Sequence, residues 1–195
     1  AGIEENLQRR IDKWAITSAE KKVILSRITG TVDLDQTADA DIVLEAVTED
    51  LDIKKNIFQR LDVLCPSHVP FASNTSVLSI TELAEATRRQ DKVIGMHFLY
   101  PVTTRPLVEI VRGLKTSDET FDIAREFAET LGKTGVEVYE SPGFVTTRVI
   151  LPMLNEAMYA LMEGVATAES IDTAMKLGFD FPMGPLAMAD SMGLD

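Results

Sequence analysis

The sequence predicts an α/β chain in two parts: a parallel sheet covered by helices on both faces, then an all-helical region. Three observations carry this. Apolar runs of strand length (Asp41–Val47, Lys92–Phe98, Leu107–Val111) alternate with segments of helical spacing. The boxes Thr17-Ser-Ala-Glu20 and Thr116-Ser-Asp-Glu119 mark helix starts between such runs. After Glu140-Ser-Pro-Gly143 no strand pattern returns. The division falls at residue 140, with 1–140 as the sheet part and 141–195 as the helical part.

In chain order, 3–13 reads as a polar helix without a cap, which suggests a chain that begins inside a helix. A second helix follows Thr17 and runs to Arg27, Gly30 breaks it, and Thr31-Val-Asp33 can form a short strand. Asp41–Val47 has the composition of a strand buried on both faces. Ile53, Ile57, Leu61 and Leu64 give a helix ending before Pro66. Pro70–Asn74 is a strand, Ser79–Ala86 a helix, and two strands cover Lys92–Phe98 and Leu107–Val111. The helix opened by Thr116 runs to Leu131 with Gly132 as its C′ residue, and Gly135–Tyr139 is the last strand. Beyond it, Phe144–Glu163 is a long apolar helix kinked at Pro152, and Glu169–Leu177 is a helix ended by Gly178. The methionines crowding this region suit a core or a subunit contact better than a ligand box.

Composition excludes several classes of function. A net charge of −12 opposes nucleic acid and anionic membranes as partners. No apolar run approaches the roughly 18 residues of a membrane-spanning helix, and the start shows no signal-peptide pattern. Cys65, the one cysteine, excludes an internal disulfide, suits a reducing compartment such as the cytoplasm, and reads as a buried structural thiol. Two histidines and no cysteine cluster leave little from which to build a metal site.

Two residues draw attention as chemistry. His97 closes one strand, where Pro101 forbids continuation, and Glu109 stands among Leu107, Val108, Ile110 and Val111. An ionised carboxylate in such a run is costly unless paired. Paired with His97, it would fix the ring tautomer and leave the other nitrogen as a base. The plainer alternatives are a satisfied structural histidine, and a Glu109 neutralised by Arg105 or Arg112.

Phe71-Ala-Ser-Asn-Thr-Ser76, Gly95-Met-His-Phe98, Leu107–Val111, Ser141-Pro-Gly-Phe144 with Arg148, Asn155-Glu-Ala157, Met183-Gly-Pro185 and Gly193-Leu-Asp195 occur in this order. Together they resemble the L-3-hydroxyacyl-CoA dehydrogenases, most closely the bacterial 3-hydroxybutyryl-CoA branch. The resemblance implies a Rossmann-type sheet domain followed by a helical substrate and dimerisation domain. It also implies NAD as cofactor, an acyl-CoA as substrate and a homodimer. It places the catalytic base on His97, its orienting carboxylate on Glu109, and the serine that holds the reacting oxygen beside the nicotinamide on Ser76. Cofactor contacts fall on Glu49, Lys54, Asn74 and Ser76. From the residues alone, Glu49 could simply charge a helix N-terminus and Lys54 could be a solvated helix face.

The sequence departs from the family at three points. It holds no G-x-G-x-x-G, so the family's pyrophosphate loop would precede Ala1, and the 195 residues are expected to be an internal piece of a longer enzyme that alone binds NAD poorly. Tyr100 stands where the family carries Asn after His-Phe-x, and Thr147 replaces an Asn before Arg148. Both bear on substrate range, with Thr147 keeping one hydroxyl donor. The alternatives in function are a dehydrogenase of another 3-hydroxy acid, or a catalytically silent dimerising homologue.

Overall fold

The computed structural model describes residues 2–193, so Leu194 and Asp195, which end the last quoted motif, lie outside the described residues. Five strands form one sheet in the order β1 (Val43–Glu45), β2 (Phe71–Ser73), β3 (Val93–Phe98), β4 (Leu107–Arg112) and β5 (Thr134–Tyr139). All neighbours run parallel except β3 and β4, which are antiparallel. The parallel sheet expected from the sequence is present, with this one antiparallel pair inside it. The link 99–106 is shorter than the dozen or so residues a parallel crossover needs, so the chain can only reverse.

Each face of the sheet has its own core. On one, Phe58 and Leu61 of α3 (Leu51–Leu64) and Ile80 and Leu83 of α4 (Ile80–Glu85) meet Phe71, Val93 and Val111. On the other, Ala124 and Ala128 of α5 (Asp118–Thr130) meet Ala72, Ile94, Met96, Val108 and Ile110. Burial on both faces explains why β3 and β4 read as continuous apolar runs. Gly95 is required here, because a Cβ on it would lie 2.9 Å from both Ile80 Cδ1 and Val111 Cβ.

Several expectations are corrected by competing interactions. Thr31–Asp33 forms no strand, since no strand among the described residues lies beside it to complete a ladder; a 3-10 turn follows at Leu34–Asp39. The strand expected over Asp41–Val47 is only the three-residue edge β1, with Leu44 exposed and one face open. The cap of α5 is Ser117, which accepts from the Thr120 amide, while the Thr116 hydroxyl donates to the Val93 carbonyl at 2.6 Å. The Thr17 capping box does open the second helix, α2 (Ser18–Leu25), after α1 (Gly2–Asp12). Gly132, with φ +68°, ends α5 as expected. Cys65 is a buried thiol at the end of α3.

The remainder is helical: α6 (Thr146–Met162), α7 (Ala168–Phe179) and α8 (Pro185–Met192). α6 continues through Pro152 as one α-helix. Gly178 lies inside α7, and the helix ends instead at Asp180, held in the left-handed region at φ 56°. Asp172 of α7 accepts from the Leu186 and Ala187 amides and so fixes the start of α8.

Candidate active site

The strand reversal builds the centre of the site. In the β3–β4 ladder His97 stands opposite Glu109, and cross-strand partners of an antiparallel pair lie on the same face. His97 Nδ1 meets Glu109 Oε2 at 2.7 Å, with the side chains 9 % and 1 % exposed. With the carboxylate accepting, Nδ1 carries the proton, and Nε2 makes no hydrogen bond among the described residues. The Phe144 ring stands against the imidazole, centroids 5.7 Å apart. Neither arginine considered for Glu109 reaches it: Arg112 pairs with Glu137 and Asp118, and Arg105 is exposed.

Glu109 has a second task that the sequence did not announce. α6 has no side-chain cap of its own. Glu109 Oε1 accepts from the Val145 and Thr146 amides at 3.0 and 2.8 Å, so a strand carboxylate caps the helix. The Thr146 hydroxyl adds a bond to Oε2 at 2.9 Å. The corner that aims these donors is left-handed, with φ 76° at Gly143 and φ 49° at Phe144. Such a conformation costs a bulky residue about 1–3 kcal/mol, and here it lies beside the dyad. Burial works to raise the pKa of the Glu109 carboxyl, but the bonds from His97, Thr146 and Val145 outweigh it and hold it below the usual value.

A second polar cluster sits at the carboxyl ends of β1 and β2, where open α/β sheets bind ligands. Lys54 is 1 % exposed, which excludes the solvated-face alternative. Its Nζ lies 2.7 Å from Glu45 Oε1 and 3.2 Å from Glu49 Oε2. Glu45 also accepts from the Ser73 hydroxyl at 2.7 Å and the Val47 amide at 2.6 Å. Glu49 accepts from the Thr75 hydroxyl and, at 2.9 Å, from the Ser76 amide. Burial again pushes the Glu49 carboxyl up, and the Thr75, Ser76 and Lys54 contacts pull it below its usual value. The exposed Ser76 hydroxyl makes no hydrogen bond among the described residues. Asn74 Oδ1 accepts from the Phe98 amide at 2.9 Å, tying the Ser76 loop to the end of β3 beside His97.

His97, Glu109, Asn74 and the Ser76 loop therefore converge, with Glu49 and Lys54 behind the loop. Thr147 lies half-buried in the first turn of α6, and Tyr100 projects from the 99–106 link with 87 % of its surface exposed. Three residues of this arrangement were missed: Glu45, Thr75 and Thr146. Glu45 gave the same signal as Glu109, a carboxylate inside an apolar run. A cavity of about 710 Å³ lies elsewhere, between α6 and α8, and none of the dyad lines it.

The donor set fits the polar nicotinamide end of a dinucleotide: one exposed hydroxyl, an amide nitrogen on Asn74 and a half-exposed carboxylate at the strand ends. No glycine-rich loop for its pyrophosphate occurs in the 195 residues. Among the described residues no cluster of His, Cys, Asp and Glu could hold a metal ion.

Comparison with known proteins gives the same direction. Residues 1–141 match the 3-hydroxyacyl-CoA dehydrogenase, NAD binding domain, and 143–195 match the 3-hydroxyacyl-CoA dehydrogenase, C-terminal domain. The chain is 50 % identical over 193 residues to a probable 3-hydroxybutyryl-CoA dehydrogenase of Bacillus subtilis, covering 99 % of this chain and 67 % of that protein. For the 3-hydroxybutyryl-CoA dehydrogenase of Clostridioides difficile the identity is 47 %, with 99 % and 69 % covered. The crystal structure of the (S)-3-hydroxybutyryl-CoA dehydrogenase from Ralstonia eutropha superimposes with a TM-score of 0.96 at 46 % identity, over all of this chain and 69 % of that one. A sheet with a buried His–Glu pair across β3 and β4, joined to a helical part and matched to both family domains from end to end, places this chain in the 3-hydroxyacyl-CoA dehydrogenase family.

Proposed function

We propose that the protein interconverts (S)-3-hydroxybutyryl-CoA and acetoacetyl-CoA, with His97 as general base and Glu109 as the carboxylate that orients it. The observation that carries this is the 2.7 Å contact between two buried side chains, one of which leaves a ring nitrogen unbonded. NAD is the cofactor; held beside Glu49, Lys54, Asn74 and Ser76, it would supply the hydride acceptor for C3 of the substrate. His97 takes the hydroxyl proton at Nε2 and returns it in the reverse direction. The imidazolium formed is stabilised by Glu109 in a water-poor setting, where the attraction is less screened. Ser76 supplies a hydroxyl to the reacting oxygen, and Glu49 and Lys54 hold its loop. Thr147 and Tyr100 border the acyl group, and Asn74 offers its amide nitrogen to the cofactor.

The same reading divides the chain near residue 140, places a homodimer contact on the helical part, and locates the enzyme in the cytoplasm. Among the described residues no helix is long and apolar enough to cross a membrane. The test is acetoacetyl-CoA reduction by NADH in the full-length protein. His97→Ala should lower turnover by about 100- to 10,000-fold, the usual share of general acid–base catalysis. Unchanged turnover in a folded His97→Ala protein that still binds NADH would overturn the assignment.

A further inference from the structure

The Glu109 carboxylate is shared among four donors, and the sharing is uneven. Oε1 serves the Val145 and Thr146 backbone amides at the start of α6, which every substitution short of proline leaves in place. Oε2 serves His97 Nδ1 at 2.7 Å and the Thr146 hydroxyl at 2.9 Å. The imidazole therefore competes with an alcohol for a single oxygen. We infer that Thr146 is a positioning residue that sets the basicity of His97 by drawing charge from the oxygen to which the ring is bonded. The inference rests on the reading of His97 as base, and its direction follows from electrostatics. A hydroxyl proton directed at Oε2 neutralises part of the charge that would stabilise an imidazolium, so it favours the neutral ring.

Few other groups can contribute to this balance. Glu109 from β4 is the charged group bonded to the ring. β5 presents Val136 opposite Glu109, and the β2 loop presents Asn74, already bonded to Phe98. On α6, the Arg148 guanidinium is bonded to the Ser141 hydroxyl. Phe144 adds an apolar ring. Thr146 is thus the one adjustable donor on the carboxylate among the described residues. Exchange for Val keeps its shape and deletes only the hydroxyl.

The test uses Thr146→Val and, as the variant that restores a hydroxyl, Thr146→Ser. The chain has two histidines, and His68 is exposed, so its ring protons exchange with water. The buried Nδ1 proton of His97 can then be followed by NMR on the 195-residue chain without cofactor. In Thr146→Val that signal moves downfield as the His97–Glu109 bond tightens, and in Thr146→Ser it returns. In the full-length protein the acid limb of turnover against pH, in the oxidation direction, moves up by roughly half a unit to one unit in Thr146→Val. Should the Val variant fail to fold, Thr146→Ala removes the same donor and is read in the same way. A signal and a pH limb that stay in place while only the melting temperature falls would reduce Thr146 to a structural role and overturn the inference. A moved NMR signal with turnover indifferent to His97→Ala would instead uphold the hydrogen-bond competition and sink the base assignment, so the two failures are distinguishable.

Discussion

Two strands of this sheet each bury a glutamate, and the pair shows how one chemical problem has two uses. Glu45 in β1 and Glu109 in β4 both have side chains 1 % exposed, and each meets a nitrogen at 2.7 Å. Glu45 faces the Lys54 ammonium, a group of donors that also reaches Glu49 and the Val47 carbonyl, so that pair is spent on the protein's own groups. Glu109 faces an imidazole, whose second ring nitrogen makes no hydrogen bond among the described residues and has a lone pair to offer. The first arrangement braces a loop. The second is the pair to which the proposed function assigns proton exchange with the substrate. What separates them is the partner, since depth and distance are the same.

The largest effect should come from breaking the Lys54–Glu45 pair. Lys54→Met leaves Glu45 buried with no cation at bonding distance, and is expected to cost about 3–5 kcal/mol in urea unfolding. Adding Glu45→Gln should recover much of that loss, because the uncompensated charge goes with it. A Lys54→Met protein of unchanged stability would show that β1 tolerates a lone carboxylate, and the comparison would fail. A smaller effect is expected from Ser73→Ala, which removes the hydroxyl on Glu45 Oε2 at a cost of about 1.5–3 kcal/mol. Turnover should follow stability in that variant rather than fall independently, in contrast to changes at the dyad.

The mildest probe is acid. Glu109, Glu49 and Asp62, whose carboxyl is pushed up by burial but pulled below its usual value by Arg88 and Arg89, all have depressed pKa values in the fold. The stability they contribute is full above the unfolded carboxyl values of about 4. It drains away as pH falls through the lower folded values. Urea midpoints should therefore be nearly flat from neutrality to about pH 5 and fall below it. In Glu109→Gln that acid slope should be shallower. An equal slope would mean that the Glu109 donors do not hold its proton affinity down.

Much of this was legible beforehand, and the failures have physical causes. Glu109 stood out because a charge in Leu-Val-x-Ile-Val is a contradiction that structure must resolve, and His97 was near enough in sequence to resolve it. Glu45 presented the same contradiction in Asp41–Val47, but that run was read only for its apolar length. The antiparallel turn between β3 and β4 was present in the shortness of 99–106, although strand–helix alternation elsewhere argued for parallel pairing. Thr31–Asp33 has strand chemistry without a ladder, a condition no local pattern records. Thr146 could not be seen, because its role depends on a left-handed Gly143–Phe144 corner that turns a helix start toward a distant strand.

That corner limits how the protein could be recombined with its relatives. Although the sequence changes character near residue 140, a splice there would divide the acceptor on β4 from three of its four donors. A chimera would keep the dyad's surroundings only if the grafted half brought a bend of the same hand and an alcohol in the same place. The seam between the two halves therefore runs through the surroundings of the His97–Glu109 pair.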